Sequence, residues 1–149
     1  MGWSVKPATY AEINRLASRM RAVDRREVGA IGHTPKQALV RGLKGSALSW
    51  TAWLDDRPVA MFGVAPISMS EGRGAIWLLG TDEVSLGARP FLKWGPAFVA
   101  GMQREFPRLE NAVAADNRQA LRLLRALGFD IKDEVVVVGG VPMRRFSRG

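Results

Sequence analysis

The sequence predicts an α/β protein in which a mixed sheet is covered by helices. Apolar residues recur at helical spacing in four segments, and shorter apolar runs bounded by turn residues occur in seven others. Helices alternate with strands only in the second half of the chain, so we expect antiparallel pairing first and a parallel pair later. The element order is β-α-α-β-β-β-α-β-α-β-β. With 149 residues, we expect a single domain over residues 1–149.

The first half of the chain supplies two predicted helices. Apolar side chains recur every three or four positions in residues 10–21, as in an amphipathic helix. Thr34 and Pro35 suit the N-cap and first turn of a second helix that runs to Leu43. The run 59–67 is apolar on both faces, which is typical of a central strand. The predicted strands in this half are residues 3–8, 47–54, 59–67 and 75–80.

The second half predicts two more helices. Pro90 suits the first turn of a helix that Pro107 ends, with Phe91, Trp94, Phe98 and Met102 along one side. The predicted strands here are residues 109–115, 135–138 and 142–146.

The stretch NAVAADNRQALRLLRALGFD (residues 111–130) begins inside the predicted strand 109–115. It predicts the end of that strand, a turn, a helix and a glycine cap at Gly128. We expect this fourth helix to bury one apolar face and to expose its arginines. The expected buried residues are Ala120, Leu123, Leu124 and Leu127, and the expected exposed ones are Arg118, Arg122 and Arg125.

The composition excludes several kinds of site. The chain has no cysteine and one histidine, His33, so it lacks a thiolate nucleophile and a metal site built from several Cys or His ligands. We expect no metal. The formal net charge is +8, which would suit a polyanion such as cofactor phosphates, nucleic acid or an acidic protein surface. The alternative is a solvated arginine-rich surface, because the arginines recur at helix-surface spacing and do not form one block. No signal peptide or membrane span is predicted.

The C-terminal half resembles the GNAT superfamily of N-acyltransferases. Asn117, Ala120, Leu123 and the pair Gly128-Phe129 match the pattern N-x-x-A-x-x-L-Y-x-x-x-G-F, with Leu124 in place of the tyrosine that would protonate a leaving thiolate. The resemblance implies a GNAT-like fold whose sheet splays between the fourth and fifth strands. A slot for the pantetheine arm of acetyl-CoA or CoA would then open between residues 75–83 and 109–117.

The same resemblance implies where CoA would bind. The family's phosphate-binding pattern Q/R-x-x-G-x-G/A falls on residues 84–89, where Gly87 matches, Val84 replaces Gln/Arg and Arg89 replaces Gly/Ala. Backbone N–H groups at the start of a helix suit a pyrophosphate. The cofactor-binding residues implied are Leu79, Thr81, Gly87, Ala88, Arg89, Asn111 and Asn117. For Asn117, a helix N-cap is the alternative role.

Three carboxylates are candidate catalytic bases. Asp82 and Glu83 end the strand that should line the slot, and Glu110 lies on the neighbouring strand. A partly buried carboxylate could deprotonate an ammonium through water. The alternative for Asp82 and Glu83 is that they are loop residues, favourable near the N-terminus of the third helix.

A narrower resemblance is to a family of small phage and prophage proteins that includes an internal virion protein of short-tailed phages. Four stretches carry it: MRAVDRREV (20–28), VAMFGVAP (59–66), WLLGTDE (77–83) and GGVPMRRF (139–146). Three functions therefore stand: an N-acyltransferase with an unknown amine acceptor, a non-catalytic virion or assembly protein that binds phage structural proteins, and a basic nucleic-acid-binding accessory. We expect a cytoplasmic or virion-associated protein with no membrane partner.

Overall fold

The computed structural model describes residues 2–149, apart from the burial and side-chain surroundings of residues 87 and 88. The strands are β1 (Trp3–Pro7), β2 (Leu48–Leu54), β3 (Arg57–Ser68), β4 (Arg73–Gly80), β5 (Arg108–Ala114), β6 (Asp130–Val138) and β7 (Val141–Arg148). The helices are α1 (Ile13–Ser18), α2 (Ala22–Ala30), α3 (Pro35–Gly45), α4 (Ala88–Glu105) and α5 (Arg118–Ala126). Short 3-10 segments cover Tyr10–Glu12 and Asp82–Gly87.

The seven strands form one sheet in the order β1-β2-β3-β4-β5-β7-β6. β4 and β5 pair parallel, and the other neighbours pair antiparallel. Parallel neighbours need a crossover connection, and α4 provides it between β4 and β5. The mixed sheet expected from the sequence is confirmed.

Helices cover both faces of the sheet. The helices α1–α3 bury a cluster against Met61 on one face, and α4 and α5 pack on the other face around Phe62 and Phe146. Thr34 and Gln37 form the capping box that starts α3. Among residues 2–149, no helix has the length and apolar character needed to cross a membrane.

The first helical region differs from the expectation. The predicted single helix over residues 10–21 is a 3-10 turn followed by the short α1, and α2 was not predicted. The face that α2 buries carries Asp24 as well as Val28, so its apolar periodicity is weak. Periodicity finds helices that bury apolar stripes, and α2 buries a carboxylate instead.

The helix α5 is placed as expected, but its most buried leucine is a different one. Leu121 is 6% exposed, whereas Leu123, Leu124 and Leu127 are half-buried. These three line a cleft and are therefore only partly covered. Gly128 has φ +84° and ends the helix, with Phe129 N–H donating to Leu124 C=O and Gly128 N–H to Arg125 C=O, the Schellman arrangement.

Candidate functional site

The strands β4 and β5 pair over three residues only. The paired residues are Arg73 with Arg108, Gly74 with Leu109 and Ala75 with Glu110. Beyond them β4 runs on to Gly80 and β5 to Ala114 without pairing to each other. The sheet is therefore splayed between its fourth and fifth strands, and the gap is the slot that the sequence analysis expected.

The side chain of Asn111 lies where the ladder stops. The Arg108 N–H donates to Gly72 C=O, and donors in a parallel ladder follow one another every two residues. If the ladder continued past Glu110, the Ala112 N–H would therefore donate to Ile76 C=O. Instead, Asn111 Nδ2 donates to Ile76 C=O at 2.8 Å, and Ala112 N–H donates to Asn111 Oδ1 at 2.8 Å. The carboxamide therefore stands between the two strands and satisfies both main-chain groups.

The peptide of Leu78 faces the slot. Thr81 N–H donates to Val59 C=O, so in the antiparallel pair of β3 and β4 every second residue of β4 bonds to β3. Leu78, opposite Phe62, is one of the alternate residues, whose N–H and C=O point towards β5. Among the described residues, β5 has already parted from β4 at this level. The N–H and C=O of Leu78 can therefore receive a ligand.

Two carboxylates on α2 close the far side of the slot. Asp24 Oδ2 accepts the N–H of Gly80, at the end of β4, at 2.9 Å. One turn later, Glu27 Oε1 accepts the N–H of Ala114, at the end of β5, at 2.8 Å. The helix thus binds the end of each parted strand through one carboxylate.

The environments of these two carboxylates differ. Asp24 is 1% exposed, and Arg21 donates to both of its oxygens at 2.9 Å. Burial raises the pKa of Asp24, against the opposing effect of Arg21. Burial also raises the pKa of Glu27, although the Ala114 N–H opposes the shift. Glu27 is half-buried and lines the cleft, so it combines access with a carboxyl group that takes up a proton more readily than an ordinary glutamate.

A cleft of about 1110 Å³ passes through the splayed sheet. On the α2–α3 side its lining includes Asp24, Glu27 and Trp77, and on the α4–α5 side it includes Phe98 and Leu123. This volume is slightly above the range of small-molecule sites, which is roughly 300–1,000 Å³. One continuous space therefore connects the two faces of the protein through the gap between β4 and β5.

The residues implied for phosphate binding lie before and at the start of α4. Val84 is buried in the core and Arg89 is exposed. The backbone of Gly87 ends the 3-10 segment and that of Ala88 begins α4, but the side-chain surroundings of Gly87 and Ala88 lie outside the described residues. Phe91 and Leu92, near the start of α4, line the cleft, so this end of the helix borders it. The N–H groups of a helix start suit an anion.

The other implied cofactor residues have mixed surroundings. Leu79 packs against the cluster formed by α1–α3, and Thr81 is buried, with its N–H bonded to Val59. Asn117 is the N-cap of α5, since its Oδ1 accepts the Ala120 N–H at 3.2 Å, and it also lines the cleft. Leu79 lines the cleft too, and Thr81 is absent from its lining.

The three carboxylates suggested by the sequence lie elsewhere. Asp82 is exposed. Glu83 is hydrogen-bonded to Arg57 at 2.8 Å, which lowers its pKa. Glu110 is bonded to Arg73, which lowers its pKa most, and to Arg108 at 2.7 Å.

All three are outside the described lining of the cleft, whereas Asp24 and Glu27 belong to it. The i, i+3 spacing of Asp24 and Glu27 is the sequence signal for a shared helix face, but the weak apolar periodicity of α2 does not predict the helix that carries them.

The comparisons with known proteins agree on the fold. The sequence matches no protein-family model and no curated protein. An acetyltransferase of the GNAT family from Streptococcus pneumoniae superposes with a TM-score of 0.66 at 13% identity, covering 99% of this chain and 98% of that one. A Bacillus subtilis acetyltransferase in complex with CoA has a TM-score of 0.62 at 16% identity, covering 97% and 95%.

An aminoglycoside acetyltransferase in complex with coenzyme A gives 0.65 at 15% identity, covering 99% of this chain and 94% of that one. At these identities the likeness concerns the fold, and this protein has the fold of the GNAT acetyltransferases.

Proposed function

We propose that this protein is an N-acyltransferase that moves an acyl group from a CoA-type thioester to an amine. One observation carries the proposal: the cleft through the splayed sheet brings the Leu78 peptide and the Glu27 carboxylate into one space. When bound, the thioester supplies an activated acyl carbonyl and a thiolate leaving group. The chain must polarise that carbonyl and remove a proton from the amine.

The Leu78 N–H polarises the carbonyl. A main-chain donor that is already oriented stabilises the charge that develops on the oxygen as the amine attacks. Asn111 fixes the end of the paired ladder two residues away, at Ile76, and Asp24 fixes Gly80 two residues beyond Leu78. The donor is therefore held from both sides.

Glu27 takes the proton. Its Oε1 accepts the Ala114 N–H, and the side chain of Asn117 also lowers the pKa of the carboxyl group, against the larger effect of burial. The amine, or a bridging water, reaches the carboxylate from the cleft that Glu27 lines. Burial raises the pKa of Glu27 and so brings it closer to the pKa of the substrate ammonium. A general base works better when its pKa is closer to that of the group it deprotonates. The amine nitrogen bonds to the acyl carbon as the carbon–sulfur bond breaks. Water protonates the thiolate, since Leu124 stands at the position of the tyrosine.

The phosphates of CoA would bind where the cleft opens beside α4. The helix start offers N–H donors, Arg89 is exposed beside it, and Arg122 lines the cleft from α5. The residues present fit the pantetheine arm in the slot, whereas a full phosphate loop is not present at residues 84–89. We therefore expect side-chain cations to supply much of the phosphate binding.

Calorimetric titration with CoA and acetyl-CoA tests the donor site, and thiol release in the presence of a panel of small amines tests the transfer. We expect binding of both CoA species and amine-dependent thiol release that Glu27→Gln reduces. Failure of both CoA species to bind would refute the proposal.

A second candidate is a non-catalytic phage virion or assembly protein that retains the fold. The four sequence stretches described above, the substituted phosphate loop and Leu124 favour it. CoA binding without thiol release for any amine would favour this second function, with phage structural proteins as its partners. Mass spectrometry of purified phage particles would then detect the chain.

A further inference from the structure

The α2–α3 side of the cleft lies across the sheet from α4 and α5. Successive residues of β4 face opposite sides of the sheet, so Leu78 packs with the cluster beneath α4 and α5, whereas Trp77 and Leu79 pack with the cluster of α1–α3. Glu27 lines the cleft from α2, on the same side as Trp77. The side chains around Glu27 therefore determine which amines can act as acceptors.

The indole ring of Trp77 is held from two sides. Its Nε1 donates to Ser46 Oγ at 2.8 Å, and α3 passes so close that a Cβ at Gly42 would lie 2.8 Å from two ring carbons. The ring is nevertheless only half-buried, and it lines the cleft. Because its N–H already has a partner, the surface that Trp77 offers to a ligand is aromatic and apolar. Such a surface suits an aromatic ring.

Apolar side chains also line the mouth of this side of the cleft. A Cβ at Gly139 would lie 2.1 Å from the Ala30 carbonyl oxygen, so the turn after β6 touches the end of α2. Val138 and Ile31 line the cleft from these two segments, and Ile31 is 58% exposed although it is large and apolar. Removing such surface from water is favourable. The mouth therefore favours an acceptor with an apolar body.

The charges on this side suit a ligand with one positive group. The carboxylates in the described lining are Asp24 and Glu27, and Arg21 already donates to both oxygens of Asp24. Glu27 is therefore the carboxylate that meets an ammonium. Arg41 lines the same side from α3 and is exposed. A second ammonium on the ligand would meet this positive charge, and like charges placed together are unfavourable.

We propose that the acceptor is a primary amine with a single positive charge and an aromatic body, whose ring packs on Trp77. This inference rests on the proposed acyl transfer and names its acceptor class. Glu27 takes a proton from the ammonium, and the neutral nitrogen bonds to the acyl carbon as the carbon–sulfur bond breaks and the thiolate leaves. Trp77 is the residue that determines specificity, and polyamines are excluded.

The test is thiol release from acetyl-CoA by the intact protein, with 2-phenylethylamine, ethylamine and spermidine as acceptors. One methylene in an apolar pocket already changes kcat/KM by about 10–200-fold. We therefore expect kcat/KM for 2-phenylethylamine to exceed that for ethylamine at least about tenfold. Spermidine, with three amino groups, should react no better than ethylamine.

Two tryptophan variants locate the ring. Trp77→Leu keeps an apolar side chain but removes the aromatic surface. The ratio of kcat/KM for 2-phenylethylamine to that for ethylamine should fall about two- to tenfold, the value of one aromatic contact, mainly through a higher KM for 2-phenylethylamine. Trp53→Leu is the matched control, because Trp53 is half-buried on β2 and outside the described lining. It should leave the ratio unchanged.

A glycine variant moves the ring without removing it. In Gly42→Ala the added Cβ meets the ring of Trp77, so the ring must shift and the preference for 2-phenylethylamine should fall. In Gly45→Ala, on the same helix, the added Cβ has no neighbour within 4 Å, and the preference should remain. Thermal unfolding shows whether each variant is folded. If Trp77→Leu fails to fold, the glycine pair and the amine preference of the unmodified protein decide.

A charge variant tests the limit of one positive group. Arg41→Glu replaces a repelling charge by an attracting one, so kcat/KM for spermidine should rise about two- to tenfold, the size of exposed charge contacts. Lys44→Glu makes the same change of net charge at an exposed position of α3 outside the described lining. It should leave spermidine unimproved.

The outcomes separate the two proposals. Equal kcat/KM for 2-phenylethylamine and ethylamine, or faster reaction of spermidine, would overturn the acceptor class and leave acyl transfer standing. A preference for 2-phenylethylamine that survives in both Trp77→Leu and Gly42→Ala, with folding intact, would contradict the position of the ring on Trp77. Absence of thiol release with every amine tested would overturn both proposals.

Discussion

The amide of Asn111 donates a 2.8 Å hydrogen bond to the carbonyl of Ile76, at the place where β4 and β5 stop pairing. The same side chain accepts the N–H of Ala112 at 2.8 Å. The Asn111 side chain therefore takes the place of a direct hydrogen bond between Ala112 N–H and Ile76 C=O and keeps the two strands further apart. The slot begins beyond this side chain.

Removing the Asn111 side chain should extend the pairing of β4 with β5. In Asn111→Ala, Ala112 N–H and Ile76 C=O regain partners only if the strands close by one pair, because main-chain groups left without partners are costly. We expect CoA affinity to fall at least about tenfold while stability changes by less than about 1.5 kcal/mol, the size of one net hydrogen bond. Calorimetry and hydrogen exchange at Ala112 provide the measurements.

Asn14→Ala, an exposed asparagine of α1, is the matched control. Unchanged affinity and unchanged exchange in Asn111→Ala would show that Asn111 does not hold the slot open.

Glu27→Gln should remove the general base and keep the structure. Glutamine can still accept the Ala114 N–H, so we expect a loss of about 10²–10⁴ in kcat with little change in CoA affinity. Because burial raises the Glu27 pKa, activity should fall as pH decreases through that raised value, where the carboxylate becomes protonated.

The pH profile of kcat/KM should lose this limb in Glu27→Gln and keep it in Glu134→Gln, an exposed control on β6. Asp24 titrates nearby, also with a raised pKa, and Arg21 is bonded to it. A limb that survives in Glu27→Gln would assign the titration to another group.

CoA binding should weaken with salt. Exposed charge contacts are screened over about 8 Å at physiological ionic strength, and Arg89 is such a residue at the start of α4. Titrations from low to moderate salt should show a steady loss of affinity, and Arg89→Ala should weaken binding and flatten the salt dependence. Arg104→Ala, at the other end of α4, should do neither. Tight binding that is indifferent to salt would show that main-chain donors hold the phosphates.

The leucines of α5 should differ in their contribution to stability. Leu121 is 6% exposed, so Leu121→Ala should lower the free energy of unfolding by about 2–5 kcal/mol. Leu123→Ala should cost less, because Leu123 already borders the cleft, and Arg122→Ala less than about 0.5 kcal/mol. Denaturant unfolding measures all three. Equal losses at Leu121 and Leu123 would mean that the cleft is closed in solution.

The fold was largely predictable because its signals are local. Thr34 and Pro35 start α3, Gly128 ends α5, and the two-sided apolar run in β3 identifies a central strand. The stretch from Asn117 to Phe129, through its resemblance to the GNAT pattern, predicted the splay between β4 and β5, the strand that precedes this stretch.

The candidate base could not be predicted in the same way. Glu27 meets Ala114 across 87 positions of sequence, and no local pattern reports such a contact. Asp82, Glu83 and Glu110 are adjacent to the slot in sequence, yet Arg57 and Arg73 bind the two glutamates. Proximity along a strand does not specify which partner a carboxylate finds.

Amide-resolved NMR titration with acetyl-CoA shows whether a thioester enters the slot and meets the Leu78 peptide. We expect a shift and slowed hydrogen exchange at the Leu78 N–H, with smaller changes at Ala112 and along α5. Changes confined to exposed arginines, with the Leu78 amide unaffected at saturation, would contradict thioester binding in the slot.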